Sequence, residues 1–592
     1  MSTNLSLMKS RRFLPLFITQ FFGAFNDNTF KNALVVLLTY QATQWTTMKP
    51  GILANLAAGI FILPFFLFSA TAGQLADKYD KSRLARLVKI LEIVIMLVAG
   101  AGFALHSLAW LMFALLLLGV HSTIFGPIKY ALLPQHLGAD ELLAGNALIE
   151  AGTFVSILLG TLAGGMLAGT GNPTVIAAAG LVVSVIGYLS SRAIPSAPAP
   201  QPDLPIHPNP LSETWRNIGF ARQNRSVFLS ILGISWFWLF GALFLAQFPA
   251  YAKTVLGGDE SSVTLLLATF TIGVGLGSMV CERLSGDHVE IGLVPLGSIG
   301  LTLFGLDLSW ASPSSVHVGT AYTVGQLLRF SSTWHILTDL LLIGLFGGFF
   351  IVPLYALIQM RSPENCRARI IAANNIMNAL FMVGGSVAAA GLLSAGFSIP
   401  ALFASAALLN AAVAAYIYRL VPEFLVRFVV WLVLHTVGRI EANGLEQIPK
   451  EGGALLVIDT DDSPRPLDVL KVMAVCKRPI RFVVDKHWDR NPIYGLVLGE
   501  ARAIYASHED SGAQTDAIGL ARQSLSAGQL VALAHHPTDP LTLLDGIEVP
   551  MLRVTLRSGH PEDAGQSRRQ AWLTRTQLLV TPMLPAQESR GP

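Results

Sequence analysis

Long apolar runs dominate the first 420 residues, interrupted by short polar or Pro/Gly-marked loops. A helix crosses a bilayer core with about 20 mostly apolar residues, and twelve such runs recur at 13–40, 52–74, 84–105, 108–128, 142–168, 174–192, 226–254, 262–281, 290–309, 332–358, 370–394 and 398–419. After the sixth comes Pro195-Ser-Ala-Pro-Ala-Pro-Gln-Pro-Asp-Leu-Pro205, a Pro-rich stretch that cannot form a helix interior. The pattern predicts an all-α membrane protein of 12 transmembrane helices in a 6+6 arrangement: a six-helix half over 1–192, a cytoplasmic linker over 193–225 and a second half over 226–420. The apolar stretch that follows is short and carries Glu423 and Arg427, which predicts an interfacial amphipathic helix over 421–439. From about 440 the pattern shifts to short alternating apolar runs with Pro and Gly between them. A C-terminal soluble α/β domain is expected over 440–592, a common domain size.

Composition sharpens this division. The 592 residues are 52% hydrophobic and only 13% charged, where soluble domains carry roughly 25% charged residues. A soluble enzyme and a disordered chain are both excluded. From Arg439 onward there are 17 Lys+Arg and 19 Asp+Glu, so nearly half of the chain's 40 basic and 37 acidic residues fall in its last quarter. The net charge of +3 is too balanced for a nucleic-acid partner. Cys281, Cys366 and Cys476 are too few and too scattered for a disulfide framework or a zinc cluster, and no metal or cofactor is expected. Lys9, Arg11 and Arg12 run into an apolar segment too long for a signal peptide, so the first helix is expected to remain. Basic residues collect before the first run, after the second, in the linker and after the tenth, which predicts cytoplasmic N- and C-termini by the positive-inside rule.

Polar groups inside the apolar runs are costly and mark candidate sites. The first run carries Phe21-Phe-Gly-Ala-Phe-Asn26-Asp27-Asn28-Thr-Phe-Lys31-Asn32. Asp27 and Lys31 stand at i and i+4 and can pair on one helix face. A structural pair and a polar binding face that meets a zwitterionic headgroup are both open. Asn26, Asp27, Asn28 and Lys31 are the leading substrate-binding candidates, with Lys129 and Glu150 behind them. The halves also echo each other: Gly126-Pro-Ile-Lys-Tyr-Ala-Leu-Leu-Pro-Gln135 is similar to Val352-Pro-Leu-Tyr-Ala-Leu-Ile-Gln359, and Asn146 in one half answers Asn374 and Asn375 in the other. Duplicated halves around a midplane site are a transporter architecture.

After the second run, Gly73-Gln-Leu-Ala-Asp77-Lys78-Tyr-Asp80-Lys81-Ser-Arg83 resembles the loop signature of the major facilitator superfamily, with Asp80 in place of its second Gly. The resemblance implies a gating motif: Gly73 allows close helix approach, while Asp77 with Lys78, Lys81 and Arg83 supplies a charge latch across the halves. Gly277-Ser-Met-Val-Cys-Glu282-Arg283 is a weaker echo in the second half. The first-run block, together with Gly126-Pro-Ile-Lys-Tyr130, resembles the bacterial lysophospholipid transporter family over residues 10–420. That resemblance implies a lysophospholipid substrate, membrane lipids as partners, flipping across the inner membrane by alternating access, and an acyltransferase or acyl carrier protein as a further partner.

The C-terminal part resembles the lysophosphatidic-acid acyltransferase superfamily. Ile440-Glu-Ala-Asn-Gly444 to Val457 is similar to that fold's entry strands, and Asp485-Lys-His-Trp-Asp-Arg-Asn-Pro492 to Gly499 to the approach to its second motif. The chemistry departs from the family. Its His-x4-Asp supplies a general base and the carboxylate that orients it, but this chain has Ser463 in the His position, with Asp468 in place. None of His487, His508, His535, His536 and His560 has an Asp five residues later, and Ala534-His-His-Pro-Thr-Asp539 replaces the phosphate-binding block. The expectation is a catalytically degenerate domain and no catalytic residue. A bifunctional transporter and acyltransferase, and a proton-coupled exporter of drugs or small solutes, are the alternatives.

Overall fold

A computed structural model describes residues 6–40, 50–285, 293–313 and 321–420 and, with short internal stretches left out, 440–583. The chain divides into two compact units, Met1–Ala415 and Tyr416–Pro592.

Among the described residues, the first unit contains twelve long helices in the order the apolar runs predict. The first six are α1 Leu14–Tyr40, α2 Pro50–Lys78, α3 Lys81–Ala104, α4 Leu108–His136, α5 Leu142–Gly169 and α6 Pro173–Ser191. The second six are α8 Arg225–Thr254, α9 Glu260–Ser285, α10 Leu293–Ala311, α11 Ser331–Arg361, α12 Arg367–Ser394 and α13 Ile399–Leu420. Several run a turn or more beyond the apolar stretch because polar residues close to the ends still satisfy helical hydrogen bonds: α4 reaches His136 and α11 reaches Arg361. Among the described residues, 11 of these helices are long and apolar enough to cross a membrane, and α1 is not one of them. Its central block from Asn26 to Asn32 lowers the mean hydropathy of a helix that is otherwise as long as its neighbours. Of the twelve spans the sequence predicts, eleven thus meet the length and hydropathy of a membrane crossing, and α1 is a helix of similar length with a polar centre.

The linker has an irregular part and a helical part. Residues Pro195–Asn209 are irregular, but Pro210–Gln223 forms a further helix, α7, with Pro210 in its first turn and the Asn209 side chain capping the amides of Leu211 and Ser212. A proline at that position interrupts nothing, since the first-turn N–H groups have no intrahelical acceptor. Across the halves, α2 packs on α12 and α5 on α9. Close approach is possible where side chains are absent: a Cβ on Gly73 would stand 2.8 Å from Cβ of Ala372 and 2.9 Å from Cα of Arg369. Large apolar side chains such as Leu87, Val182, Leu303 and Leu408 are exposed around the bundle, as expected where lipid is the solvent.

The second unit holds a seven-stranded sheet of β1 Ile440–Asn443, β2 Ala454–Thr460, β3 Ile480–Asp485, β4 Ile504–Ala506, β5 Leu530–Leu533, β6 Met551–Ser558 and β7 Thr576–Pro582, in the order β1-β7-β6-β2-β5-β3-β4. Every pairing is parallel except β6 with β7. Parallel strands are covered on both faces, and two separate apolar clusters meet that need. One includes Leu456, Ile458 and Val469 of α14 Pro466–Val475, and the other Leu455, Ala517 and Ala521 of α15 Ser511–Ser526. The region 421–439, for which an interfacial helix is expected, lies outside the described residues.

Candidate functional site

Helical periodicity decides which polar residues of α1 can act together. Successive side chains turn by about 100°, so positions 20, 23/24, 27 and 31 form one stripe while Asn26 and Asn28 point to either side of it. Gln20, Gly23, Ala24 and Asp27 line a cavity of about 260 Å³. From the first half it is also lined by Phe61, Phe65, His121, Ser122, Phe125 and Lys129, and from the second by Trp238, Tyr355, Asn375, Asn378 and Met382. It offers one carboxylate and one ammonium within mostly aromatic and apolar walls.

Of the six residues the sequence singles out for substrate, the structure brings only Asp27 and Lys129 to this cavity. Asn26 is fully buried behind it and donates to Glu92 at 2.8 Å. Asn28 donates to the Ala24 carbonyl at 2.8 Å, a contact within its own helix. Lys31 does not pair with Asp27: its Nζ donates to Asn28 Oδ1 at 3.1 Å and lies 5.2 Å from the centre of the Phe61 ring. Asp27 instead accepts from the Ser122 hydroxyl, and His121 Nδ1 stands 3.8 Å from its other oxygen. Partners on α4 are rigidly placed, whereas a lysine four residues along the same helix must hold an extended rotamer, and the α4 groups win. Glu150 is fully buried outside the cavity lining and accepts from Tyr130 at 2.5 Å.

Behind Asp27 lies a charged cluster the sequence reading missed. Lys89 and Glu92, both fully buried on α3, pair at 2.6 Å, and His121 Nε2 lies 3.3 Å from Glu92. Two opposite charges at i, i+3 inside the third apolar run were the available signal, because charges at that depth occur where they face one another or a cavity. Asn26, Asp27, Lys89, Glu92 and His121 draw α1, α3 and α4 into one polar core.

The halves meet around the cavity through polar and aromatic contacts. Tyr130 of α4 stacks on Tyr355 of α11 with ring centres 4.3 Å apart, and Trp238 of α8 donates to the Tyr355 hydroxyl at 3.2 Å. These tyrosines belong to the two echoing segments, which therefore face each other. Asn146 and Gln359 exchange hydrogen bonds of 2.7 and 3.0 Å. At one end of the bundle the fully buried Asp77 accepts from the Arg369 guanidinium at 3.0 Å and from the amide of Ala368 at 3.1 Å. Gly73 meets α12 by close packing, while the basic candidates are placed otherwise: Lys78 donates to the Leu204 carbonyl of the linker, Lys81 is buried with its amide donating to the Ala197 carbonyl, and Arg83 is exposed. The partner of Asp77 sits 292 residues away on α12, which no local motif could name.

The linker is stitched over that same end. Arg369 reaches the Gln201 side chain at 2.7 Å, Gln74 accepts from the His207 amide at 2.8 Å, and Asp80 accepts from Ser196 and the Ala197 amide. Burial pushes the Asp80 carboxyl up, but the Ser82 and Ser196 hydroxyls and the Arg83 and Ala197 amides outweigh it and hold it below the usual carboxylate range.

In the second unit, Asp468 is a local structural group. It accepts from the Arg465 amide at 3.1 Å at the start of α14 and stands 3.5 Å from Lys471. Ser463, His535, His536 and Asp539 lie outside the described residues. The three cysteines are buried and none forms a disulfide.

Two helical sets enclosing one cavity at their junction define a membrane transporter of the secondary type. The sequence model of the Major Facilitator Superfamily matches residues 16–326, more than half of the chain, and the chain belongs to that superfamily. Similar curated proteins include the "Lysophospholipid transporter LplT" of Serratia proteamaculans, 26% identical over 375 residues, covering 63% of this chain and 86% of that protein. The protein of the same name from Cronobacter sakazakii is 28% identical over 381 residues, covering 62% and 85%. Among solved structures, the human organic anion transporter MFSD10 (TETRAN) is similar with TM-score 0.54 and 14% identity, over 68% of this chain and 98% of that one. The E. coli fucose:proton symporter FucP is similar with TM-score 0.51 and 11% identity, over 69% and 98%. At these identities the two structures bear on the fold alone.

Proposed function

We propose that the chain flips lysophospholipids across the bacterial inner membrane by alternating access, with α1 as the twelfth span and both termini in the cytoplasm. The observation that carries this reading is the cavity at the junction of the halves, where Asp27 and Lys129 are the charged groups among aromatic walls. A zwitterionic phosphoethanolamine-type headgroup presents an ammonium to Asp27 and a phosphate to Lys129, with Asn375 and Asn378 as neutral donors. The single acyl chain lies along the apolar faces that line the cavity or in lipid. Similarity to proteins named lysophospholipid transporters supports the substrate class.

In this mechanism Asp77 and Arg369 latch the cytoplasmic end, and Gly73 lets α2 and α12 approach closely enough for the bond to form. Rocking the halves breaks this pair, the Asn146–Gln359 contact and the Tyr130–Tyr355 stack together, which opens the cavity to the other side. The C-terminal unit is an acyltransferase-like domain that has lost the histidine base and serves handling or docking of the lipid. An acyltransferase or acyl carrier protein is a partner that would take over re-acylation.

The test is movement of labelled lysophosphatidylethanolamine in proteoliposomes. Flux above empty liposomes that falls at least tenfold in Asp27→Asn supports the reading, and no flux overturns it. His121, within 3.3–3.8 Å of both Glu92 and Asp27, favours a second reading, proton-coupled export of small solutes. Transport of non-lipid solutes that follows an imposed pH gradient would select that alternative.

A further inference from the structure

A second cluster of chemistry-bearing side chains lies far from the cavity, at the opposite end of the bundle from the Asp77–Arg369 latch. Asp307 stands near the C-terminal end of α10, and His335 and Asp339 stand near the start of α11. His335 and Arg361 are separated along α11 by roughly 40 Å at 1.5 Å per residue. One imidazole nitrogen and one oxygen from each carboxylate lie within 4.8 Å of one another. Nε2 of His335 is 3.0 Å from Oδ2 of Asp307 and 3.7 Å from Oδ2 of Asp339.

The state of Asp339 separates this cluster from an ordinary surface ion pair. Its side chain is only 2% exposed, and its Oδ2, the atom turned toward His335, has no hydrogen-bond partner. A buried carboxylate oxygen left this way loses its hydration without replacement. The neighbouring carboxylate of Asp307 adds repulsion while both groups are ionised. A cation held between the three groups answers both problems.

We propose that Asp307, His335 and Asp339 form a binding site for a divalent transition-metal cation of the zinc, manganese or iron(II) class. Two donors bound at about 2.1 Å with tetrahedral angles stand about 3.4 Å apart, and the observed 3.0 and 3.7 Å bracket that value. A donor set of one imidazole and two carboxylates suits these metals and disfavours copper(I), which prefers thiolate or thioether ligands. The i, i+4 spacing of His335 and Asp339 puts both on one face of α11, and Asp307 completes the set from α10. The Trp310 ring stands edge-on to the imidazole with centres 6.5 Å apart, which restricts its rotation. His335 is exposed and Asp307 half-exposed, so the ion has a path in and positions left for water or an anion. Coordination ties α10 to α11 at the end where the latch is absent, so a bound ion favours whichever transport state holds these two helices in contact. The sequence analysis expected no metal from its three scattered cysteines, and the 28 residues between Asp307 and His335 are a spacing no linear motif carries.

The test is zinc titration of the full chain in detergent after chelator treatment, read by calorimetry, alongside cobalt(II) absorption as a report of coordination geometry. One saturable site at micromolar zinc is expected, with a cobalt ligand-field band that zinc displaces. His335→Gln changes an exposed position and Asp307→Asn a half-exposed one, each with a near-isosteric side chain, so the fold is expected to stay intact. Each should weaken zinc by on the order of 100-fold, at least what loss of an outer-shell partner costs, and abolish the cobalt band. Asp339→Asn, of the same shape, should do likewise. Zinc binding that is absent from the wild type, or equally strong in His335→Gln and Asp307→Asn, overturns the proposal and leaves an ordinary His–Asp ion pair.

Discussion

Asp27 and Asp77 are both carboxylates buried in an apolar bundle, yet their partners give them different work. Asp77 holds a guanidinium and a backbone amide from the other half of the molecule, so its energy depends on how the halves are arranged. Removing one member of such a buried pair leaves the other uncompensated, at a cost of about 3–5 kcal/mol. Arg369→Ala and Asp77→Ala should each lower the thermal unfolding midpoint in detergent. The double variant should lose less than the sum, and a cysteine placed at Ala372 should become more reactive toward a water-soluble maleimide in Arg369→Ala. Equal reactivity with and without Arg369 would remove the latch role. Asp77 was legible because its motif is local, while Arg369 was not, because its contact joins positions 292 residues apart. The same reason hid the Glu92 side of the Asp27 cluster, which forms only where α1, α3 and α4 are brought together.

Among the twelve long helices described, α1 is the one that falls short of the hydropathy of a membrane span, and it owes its place to the neighbours that cover it. A Cβ on Gly160 would stand 2.4 Å from the Phe25 carbonyl, and one on Gly164 2.5 Å from the Thr29 carbonyl, so α5 meets α1 backbone to backbone over two turns. Small residues four apart permit such contact between helices in lipid. Gly160→Leu should push the helices apart, destabilise by about 1–3 kcal/mol and displace Asp27 from the cavity. Loss of lysolipid flux with a folded elution profile is the expected result. The start of α3 gives a pH-dependent case. Asp80 caps it, accepting from the Arg83 amide at 3.0 Å, and ties the linker through Ser196 and Ala197. Its carboxyl titrates lower when folded than when unfolded, so ionised Asp80 contributes stability in full above the ordinary Asp value of about 3.9. That contribution fades as pH falls below this value toward the lower folded one. Thermal melts should show wild type above Asp80→Asn at neutral pH, with the gap closing under acid; a gap constant with pH would assign the difference to packing.

For the whole molecule, the apolar clusters of the helical unit draw on residues up to Ala406, and those of the sheet unit begin at Ala454. A chain ending at residue 420 keeps every residue of the helical unit's clusters, so it should fold and retain most lysolipid flux if the sheet unit is accessory. Flux lost on truncation but restored by adding the sheet unit would make that unit part of the transport cycle. The sequence alone determined the helical order, the break after the sixth run and the change of solvent near 440, because apolar period and length record which medium each segment must satisfy. It also marked α1 as the helix with polar residues to place. Only the tertiary structure decided which of those residues face the cavity, that Lys31 turns to Asn28 while Asp27 turns to α4, that Arg369 answers Asp77, and that Asp307, His335 and Asp339 converge. Burial follows from a residue's own chemistry, whereas pairing depends on which distant helix arrives beside it, and nothing within one helix encodes that neighbour.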